Sequence, residues 1–153
     1  LLNKVPVNPA QVHIMRTDIE PEQSALEYQK ILHTYFGTEG NSFDLVLSGM
    51  GDDGHTLSLF PGTEVIHETK DWVKAFYLTA QQMYRITLTA PVVNRASSVV
   101  FLTFGANKAK ALYEVLEGEP NADIYPSQII QPASGKLHWF VDEPAAALLD
   151  KKA

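Results

Sequence analysis

Apolar residues along this chain fall into short β-branched runs and longer runs at helical spacing, and the alternation of the two predicts its elements. Residues 5–18 read as an extended approach, with Val12-His13-Ile14-Met15 as a short strand or edge segment. Glu20-Pro21 then opens a helix, because proline suits a first helical turn and carboxylates suit the positive end of the helix dipole. Ala25, Tyr28, Ile31, Leu32, Tyr35 and Phe36 recur at helical spacing and define a core-facing side, which Gly37 brings to a stop. His13 reads as structural, and His33, between the main apolar positions, as solvent-facing. Residues 43–48, Phe-Asp-Leu-Val-Leu-Ser, have the character of a buried strand. Residues 55–60 follow with a helical pattern that Pro61-Gly62 cuts off after less than two turns.

In the second half, residues 72–78 and 84–89 read as strands, the latter alternating Ile86 and Leu88 against Arg85, Thr87 and Thr89. Pro91 begins a short helix over 91–96, and 98–104 is the clearest buried strand of the chain. It ends in Gly105, after which 107–116 is a helix with Ala111, Leu112, Val115 and Leu116 inward. A helical turn at 126–131, a last strand at 137–141 and a closing helix at 143–149 complete the pattern. His138 and Trp139 read as core packing rather than pocket lining. Strands separated by helices or long crossings predict an α/β fold whose mainly parallel sheet is covered on both faces.

With 153 residues, 45% of them hydrophobic and 20% charged, the chain suits one domain over residues 1–153 with a real core. The absence of cysteine excludes disulfides and cysteine-metal frameworks and fits a reducing cytoplasm. A formal net charge of -6 disfavours nucleic acid as a partner, so a phosphorylated ligand would rest on a few local cations. No run approaches a membrane span and no basic n-region precedes an apolar stretch, so no membrane partner is expected. His67-Glu68 lacks the second histidine of a zinc helix, and no metal centre is expected.

The chemistry concentrates where the strand at 43–48 meets Gly49-Met50-Gly51-Asp52-Asp53-Gly54. Glycine accepts the turns that expose backbone N–H groups, and two readings compete for the loop. One is the dinucleotide fingerprint GxGxxG. Against it stand the paired charges of Asp52 and Asp53, the early stop at Pro61, and Ala75, Phe76 and Tyr77 where a ribose-binding carboxylate is wanted. No organic cofactor is therefore expected. The other reading takes Asp53-Gly54-His55 as a chemical unit: a histidine beside a carboxylate, at the carboxyl end of a strand where α/β sheets place ligands, is a candidate general base. Arg85, at the start of a polar strand face, is either a surface residue or a phosphate anchor. Lys108, in the first turn of its helix, is a second phosphate candidate, whereas Lys110 faces elsewhere.

The string GMGDDGHTLSLFPG, residues 49–62, resembles the signature segment of the 6-phosphogluconolactonases, which runs near GxGxDGHTASLFPG. The similarity extends through 84–89, 104–109 and 137–142 and covers nearly the whole chain. The DGH element is shared with glucosamine-6-phosphate deaminases, while HTxSLFPG points to the lactonase branch. Asp52 and Leu57 depart from the usual pattern. The resemblance implies the three-layer αβα, Rossmann-like fold of the sugar-phosphate isomerase and deaminase superfamily, lacking its N-terminal units. It also implies that this is the C-terminal portion of a longer chain, whose front carries the first strands and a Gly/Ser-rich phosphate loop.

The activity implied is hydrolysis of 6-phosphoglucono-δ-lactone to 6-phosphogluconate in the oxidative pentose phosphate pathway. His55 would be the base, Asp53 would orient it or the water, and N–H groups of the loop carrying Gly49, Gly51 and Gly54 would meet the oxyanion. Arg85 and Lys108 would hold the phosphate of the sugar-phosphate lactone. The alternatives are a deaminase or isomerase using the same pair on an open-chain sugar, and a non-catalytic sugar-phosphate-binding fragment. Oligomeric state has no signature in the sequence.

Overall fold

The computed structural model describes residues 2–37, 40–133 and 135–150. Residues 1, 38, 39, 134 and 151–153 of the expected domain 1–153 lie outside the described residues. The elements in order are α1 (Pro21–Phe36), β1 (Val46–Gly49), β2 (Val73–Leu78), β3 (Met83–Leu88), α2 (Ala90–Val93), β4 (Ser98–Thr103), α3 (Ala109–Leu116) and β5 (Lys136–Val141). Short 3-10 turns join them, among them Ala106–Lys108 and Pro126–Ile129.

β1, β4 and β5 form a parallel sheet in the order β1-β4-β5. Its register sets Val46 beside Val99, Gly49 beside Leu102 and Phe101 beside Trp139. The fold is thus the expected α/β type with a mainly parallel sheet. β2 and β3 stand apart as an antiparallel hairpin, since the Thr79–Gln81 turn is too short for a crossover. α1 packs on this hairpin: the Gln29 side-chain oxygen accepts the Trp72 and Val73 N–H groups at 2.6 and 3.1 Å.

Alternation along the parallel strands sorts the residues into two faces. Val46, Val99 and Phe101 are buried on one, against a core that includes Leu59, Val92, Val93, Leu112 and Ile130. Trp139 stacks on Phe101 with centroids 3.9 Å apart. On the other face Leu47, Leu102 and Phe140 are 56%, 43% and 57% exposed, so no described element covers it. The expected covering of both faces is half realised among the described residues.

Several expectations change. Residues 12–15 are extended but pair with no strand among the described residues, and His13 there bonds the Tyr35 hydroxyl through Nε2 at 2.8 Å. His33 is half-buried with its ring 4.3 Å from that of Trp72, rather than facing solvent. β1 begins at Val46, and Phe43 instead meets Phe36 edge-on at 4.9 Å. Residues 55–60 are not a helix: Leu57 takes a left-handed φ of 54°, and an antiparallel bridge joins Thr56 to Leu59. The expected helix at 143–149 is instead a run of turns: the Asp142 carboxylate caps the Ala145 N–H at 3.0 Å, and the Ala146 and Leu149 N–H groups donate to the Asp142 and Ala146 carbonyls, each at 3.0 Å. His138 is exposed rather than packed in the core. No helix among the described residues is long and apolar enough to cross a membrane.

Candidate active site

β1 ends at Gly49, and the chain returns to it seven residues later. The Thr56 hydroxyl, fully buried, donates to the Gly49 carbonyl at 2.9 Å and lies 2.6 Å from the Ser48 hydroxyl. Between these points Gly51 N–H donates to the His55 carbonyl at 2.8 Å and Gly54 N–H to the Gly51 carbonyl at 3.2 Å. Those two N–H groups, expected to meet an oxyanion, are instead engaged within the loop. Gly54 has a φ of 78°, and its carbonyl accepts both the N–H and the hydroxyl of Ser127, at 2.9 and 2.8 Å. The loop is therefore bonded to the 3-10 turn at Pro126–Ile129 as well as to itself.

This frame brings Asp53 and His55 together. Asp53 Oδ1 accepts the His55 backbone N–H at 3.1 Å and lies 2.6 Å from His55 Nδ1. Burial alone would raise the Asp53 carboxyl, but the bonds from His55 backbone and ring outweigh it and hold the group below its ordinary range. An ionised carboxylate only accepts, so Nδ1 carries the proton and Nε2 of the neutral ring is the bare nitrogen. Nε2 has no hydrogen-bond partner among the described residues, and the His55 side chain keeps 28% of its surface open. Gly51 is required beneath this pair, since a Cβ there would overlap both the imidazole and the Asp53 carboxylate. The ring of Phe60 stacks on the imidazole, centroids 4.2 Å apart and planes 27° from parallel.

Arg85 lies on β3 opposite Phe76. Its guanidinium carbon is 5.7 Å from the centroid of the same Phe60 ring, and Nη2 bonds the Gln81 side-chain oxygen. Its Nε is buried with no partner among the described residues, an unmet donor in a group built to bind oxyanions. Arg85 also lines a cavity of about 330 Å³ together with Met15, Arg16, Ser58, Tyr84 and Ile86. Arg16 there is engaged by Asp18 at 2.9 and 3.0 Å. The loop is tied to β3 directly, through the Ser58 N–H donating to the Thr87 hydroxyl at 3.1 Å.

Lys108 sits on the loop that leaves β4, the strand beside β1, and so at the same end of the parallel sheet. No hydrogen bond, ion pair or ring contact among the described residues joins it to Asp53, His55 or Arg85. Its loop is held by Asp142, whose two carboxylate oxygens accept the Gly105 N–H at 2.9 and 3.1 Å. Phe60, Thr87 and Asp142 were not among the sequence-derived candidates. For Asp142 a signal was present, an aspartate closing a strand where the chain turns. For Phe60 there was none, because Arg85 is remote in sequence and the stacking on nearby His55 depends on the left-handed turn at Leu57. Among the described residues no cluster of three or more His, Cys, Asp or Glu side chains is placed to hold a metal ion.

Comparison with known proteins adds an independent line. The family described as glucosamine-6-phosphate isomerases/6-phosphogluconolactonase matches residues 1–139. A 6-phosphogluconolactonase of Synechocystis is 41% identical over 148 residues, covering 94% of this chain and 60% of its own length. The crystal structure of a devB protein superposes with a TM-score of 0.86 at 28% identity, over 97% of this chain and 63% of that one. A 6-phosphogluconolactonase structure from Trypanosoma brucei gives 0.74 at 26%, over 94% and 58%. The chain thus spans about three-fifths of the length of the curated relatives it matches.

Proposed function

We propose that this chain, which belongs to the glucosamine-6-phosphate isomerases/6-phosphogluconolactonase family, supplies the base-bearing part of an enzyme that hydrolyses 6-phosphoglucono-δ-lactone to 6-phosphogluconate. The observation that carries the reading is the Asp53–His55 pair, 2.6 Å apart, with Nε2 left bare at the carboxyl end of β1. A lactone is an activated ester, so catalysis needs a positioned water, a base and a place for transient negative charge. Nε2 of His55 takes a proton from water as the oxygen attacks the lactone carbonyl. The tetrahedral intermediate then breaks its bond to the ring oxygen, which recovers that proton from the imidazolium and leaves as the C5 hydroxyl. Asp53 holds the imidazole in the tautomer this requires.

Arg85 and Lys108 grip the phosphate, so that binding energy at one end of the sugar fixes the carbonyl at the other. The unmet Arg85 Nε supports the first assignment. With Gly51 and Gly54 N–H groups committed to the loop, their part in the substrate site is to let the base come close to the strand end.

Residues 1–153 form one domain, part of a longer, cytoplasmic enzyme of the pentose phosphate pathway. Three facts support this: the relatives' greater length, the bare apolar face of the parallel sheet, and the cysteine-free composition. The test is lactone hydrolysis by the full-length protein and its His55→Ala variant, measured above the spontaneous rate. Loss of about 10²-fold or more with retained binding of 6-phosphogluconate is expected. Equal rates would reject His55 as base, and ammonia release from glucosamine 6-phosphate without lactone hydrolysis would transfer the pair to deaminase chemistry.

A further inference from the structure

We infer that Phe60 is a positioning residue that couples the base to the phosphate anchor, through one aromatic ring that both of them touch. The inference rests on the reading of His55 and Arg85 just given, and the contacts behind it stand apart from that reading. The imidazole lies on the Phe60 ring at 4.2 Å and 27°. The Arg85 guanidinium carbon lies 5.7 Å from the same centroid, within cation–π range.

The ring itself has little freedom. Phe60 is 9% exposed, follows the fully buried Leu59, and is anchored behind by a turn in which the Thr63 N–H and hydroxyl both donate to its carbonyl, at 3.2 and 2.6 Å. In front, Ser58 N–H is bonded to Thr87 on β3, two residues from Arg85. The loop is thus bonded to the strand that carries Arg85 two residues before the ring, and a local turn fixes the chain just after it. The imidazole is confined by Asp53 at Nδ1, by the bare Cα of Gly51 and by the Phe60 ring, which leaves Nε2 as its open edge.

A ring shared in this way fixes the separation between the atom that takes the proton and the group that grips the charged end of the substrate. A displacement of about 1 Å at such a site is enough to cost about 10²-fold in rate. Other clusters in the molecule lack this convergence. Glu68, Asp71 and Lys74 satisfy one another, and His67 is paired with Asp123 on the surface.

The test uses variants of the full-length protein: Phe60→Leu removes the ring, Phe60→Tyr keeps it, Arg85→Ala removes the guanidinium, and Lys108→Ala is the control. Calorimetric binding of 6-phosphogluconate is expected to weaken about tenfold in Phe60→Leu and to stay within about threefold in Phe60→Tyr. Adding Phe60→Leu to Arg85→Ala is expected to weaken it no further, because the two act through one contact. Kinetically, Phe60→Leu lowers kcat and raises KM together, where a purely structural residue would lower only the melting temperature and the active fraction. In the ligand-free protein, the imidazole 15N signals of His55 are expected to shift or broaden in Phe60→Leu and Arg85→Ala but not in Lys108→Ala. This arm is independent of the lactonase reading. His55 signals indifferent to Arg85→Ala, or binding losses that multiply in the double variant, would overturn the proposal. Absence of hydrolysis in the unmodified protein, with the signals still coupled, would overturn the lactonase reading alone.

Discussion

The two loops that leave the carboxyl ends of β1 and β4 begin alike, each a strand with one buried face running into glycine, and end very differently. The β1 loop folds back on its strand through Thr56, closes on itself through Gly51 and Gly54, and is fastened from outside by Ser127 and Thr87. The β4 loop takes its bend at Gly105, with a φ of 96°, leans on the Asp142 carboxylate, and passes through a 3-10 turn into α3. The difference follows the work proposed for each. A base must be held in one tautomer and one orientation, which demands bonds at every degree of freedom. A cation that meets a phosphate needs only to be near, since its attraction is long-ranged and tolerant of angle.

That contrast can be broken most forcefully at the glycines. Gly51→Ala places a methyl in the space of the Asp53–His55 pair and is expected to lower lactone hydrolysis about 10²-fold, on the scale of losing the base itself. Gly105→Ala strains a left-handed backbone beside the Asn107 side chain, 3.0 Å from the added Cβ. Its expected cost is about 1–2 kcal/mol in urea unfolding with kcat within about threefold. Steady-state kinetics on both variants checks this, and equal losses of kcat would erase the distinction between the loops.

A smaller effect separates tight bonding from chemistry. The segment after the 3-10 turn at Glu64–His67 is bonded as densely as the β1 loop: the Glu68 carboxylate accepts the Lys70, Thr69 and Asp71 N–H groups at 2.7, 2.9 and 3.0 Å. The Lys70 N–H first, then that of Asp71 and the Lys74 ammonium, bring the Glu68 carboxyl down from 4.5 to about 2. A carboxyl lowered on folding contributes stability that is complete above pH 4.5 and is lost as pH falls through about 2. Glu68→Gln is therefore expected to flatten the acid limb of the stability curve by about 1 kcal/mol and to leave neutral-pH hydrolysis unchanged. Urea unfolding between pH 5 and pH 2 reads it, and a change in kcat would tie this segment to the chemistry after all.

What could be read in advance divides along the distance between partners in the sequence. Asp53 and His55 are two residues apart, so their pairing was legible in the string Asp-Gly-His and is found at 2.6 Å. α1, with its apolar stripe and Gly37 stop, and the β-branched run of β4 were legible for the same local reason. Residues 55–60 looked helical because their apolar spacing also fits a helix. The left-handed backbone at Leu57 and the bonds from Thr56 to the strand end, which decide the matter, leave no periodic trace. The meeting of Phe60 with Arg85 spans 25 positions and depends on the β2–β3 hairpin standing as its own sheet. Gly51 was legible as a turn former but not as the floor of the imidazole, since that requires knowing which side chain folds over it.

The central claim is that the Asp53 carboxylate sets the tautomer of His55 and so leaves Nε2 to take the proton. The 15N chemical shifts of the His55 ring at neutral pH test it most directly. The account predicts Nδ1 protonated and Nε2 bare in the unmodified protein, with that preference lost in Asp53→Asn. A ring protonated at Nε2, or a tautomer indifferent to Asp53, would contradict it.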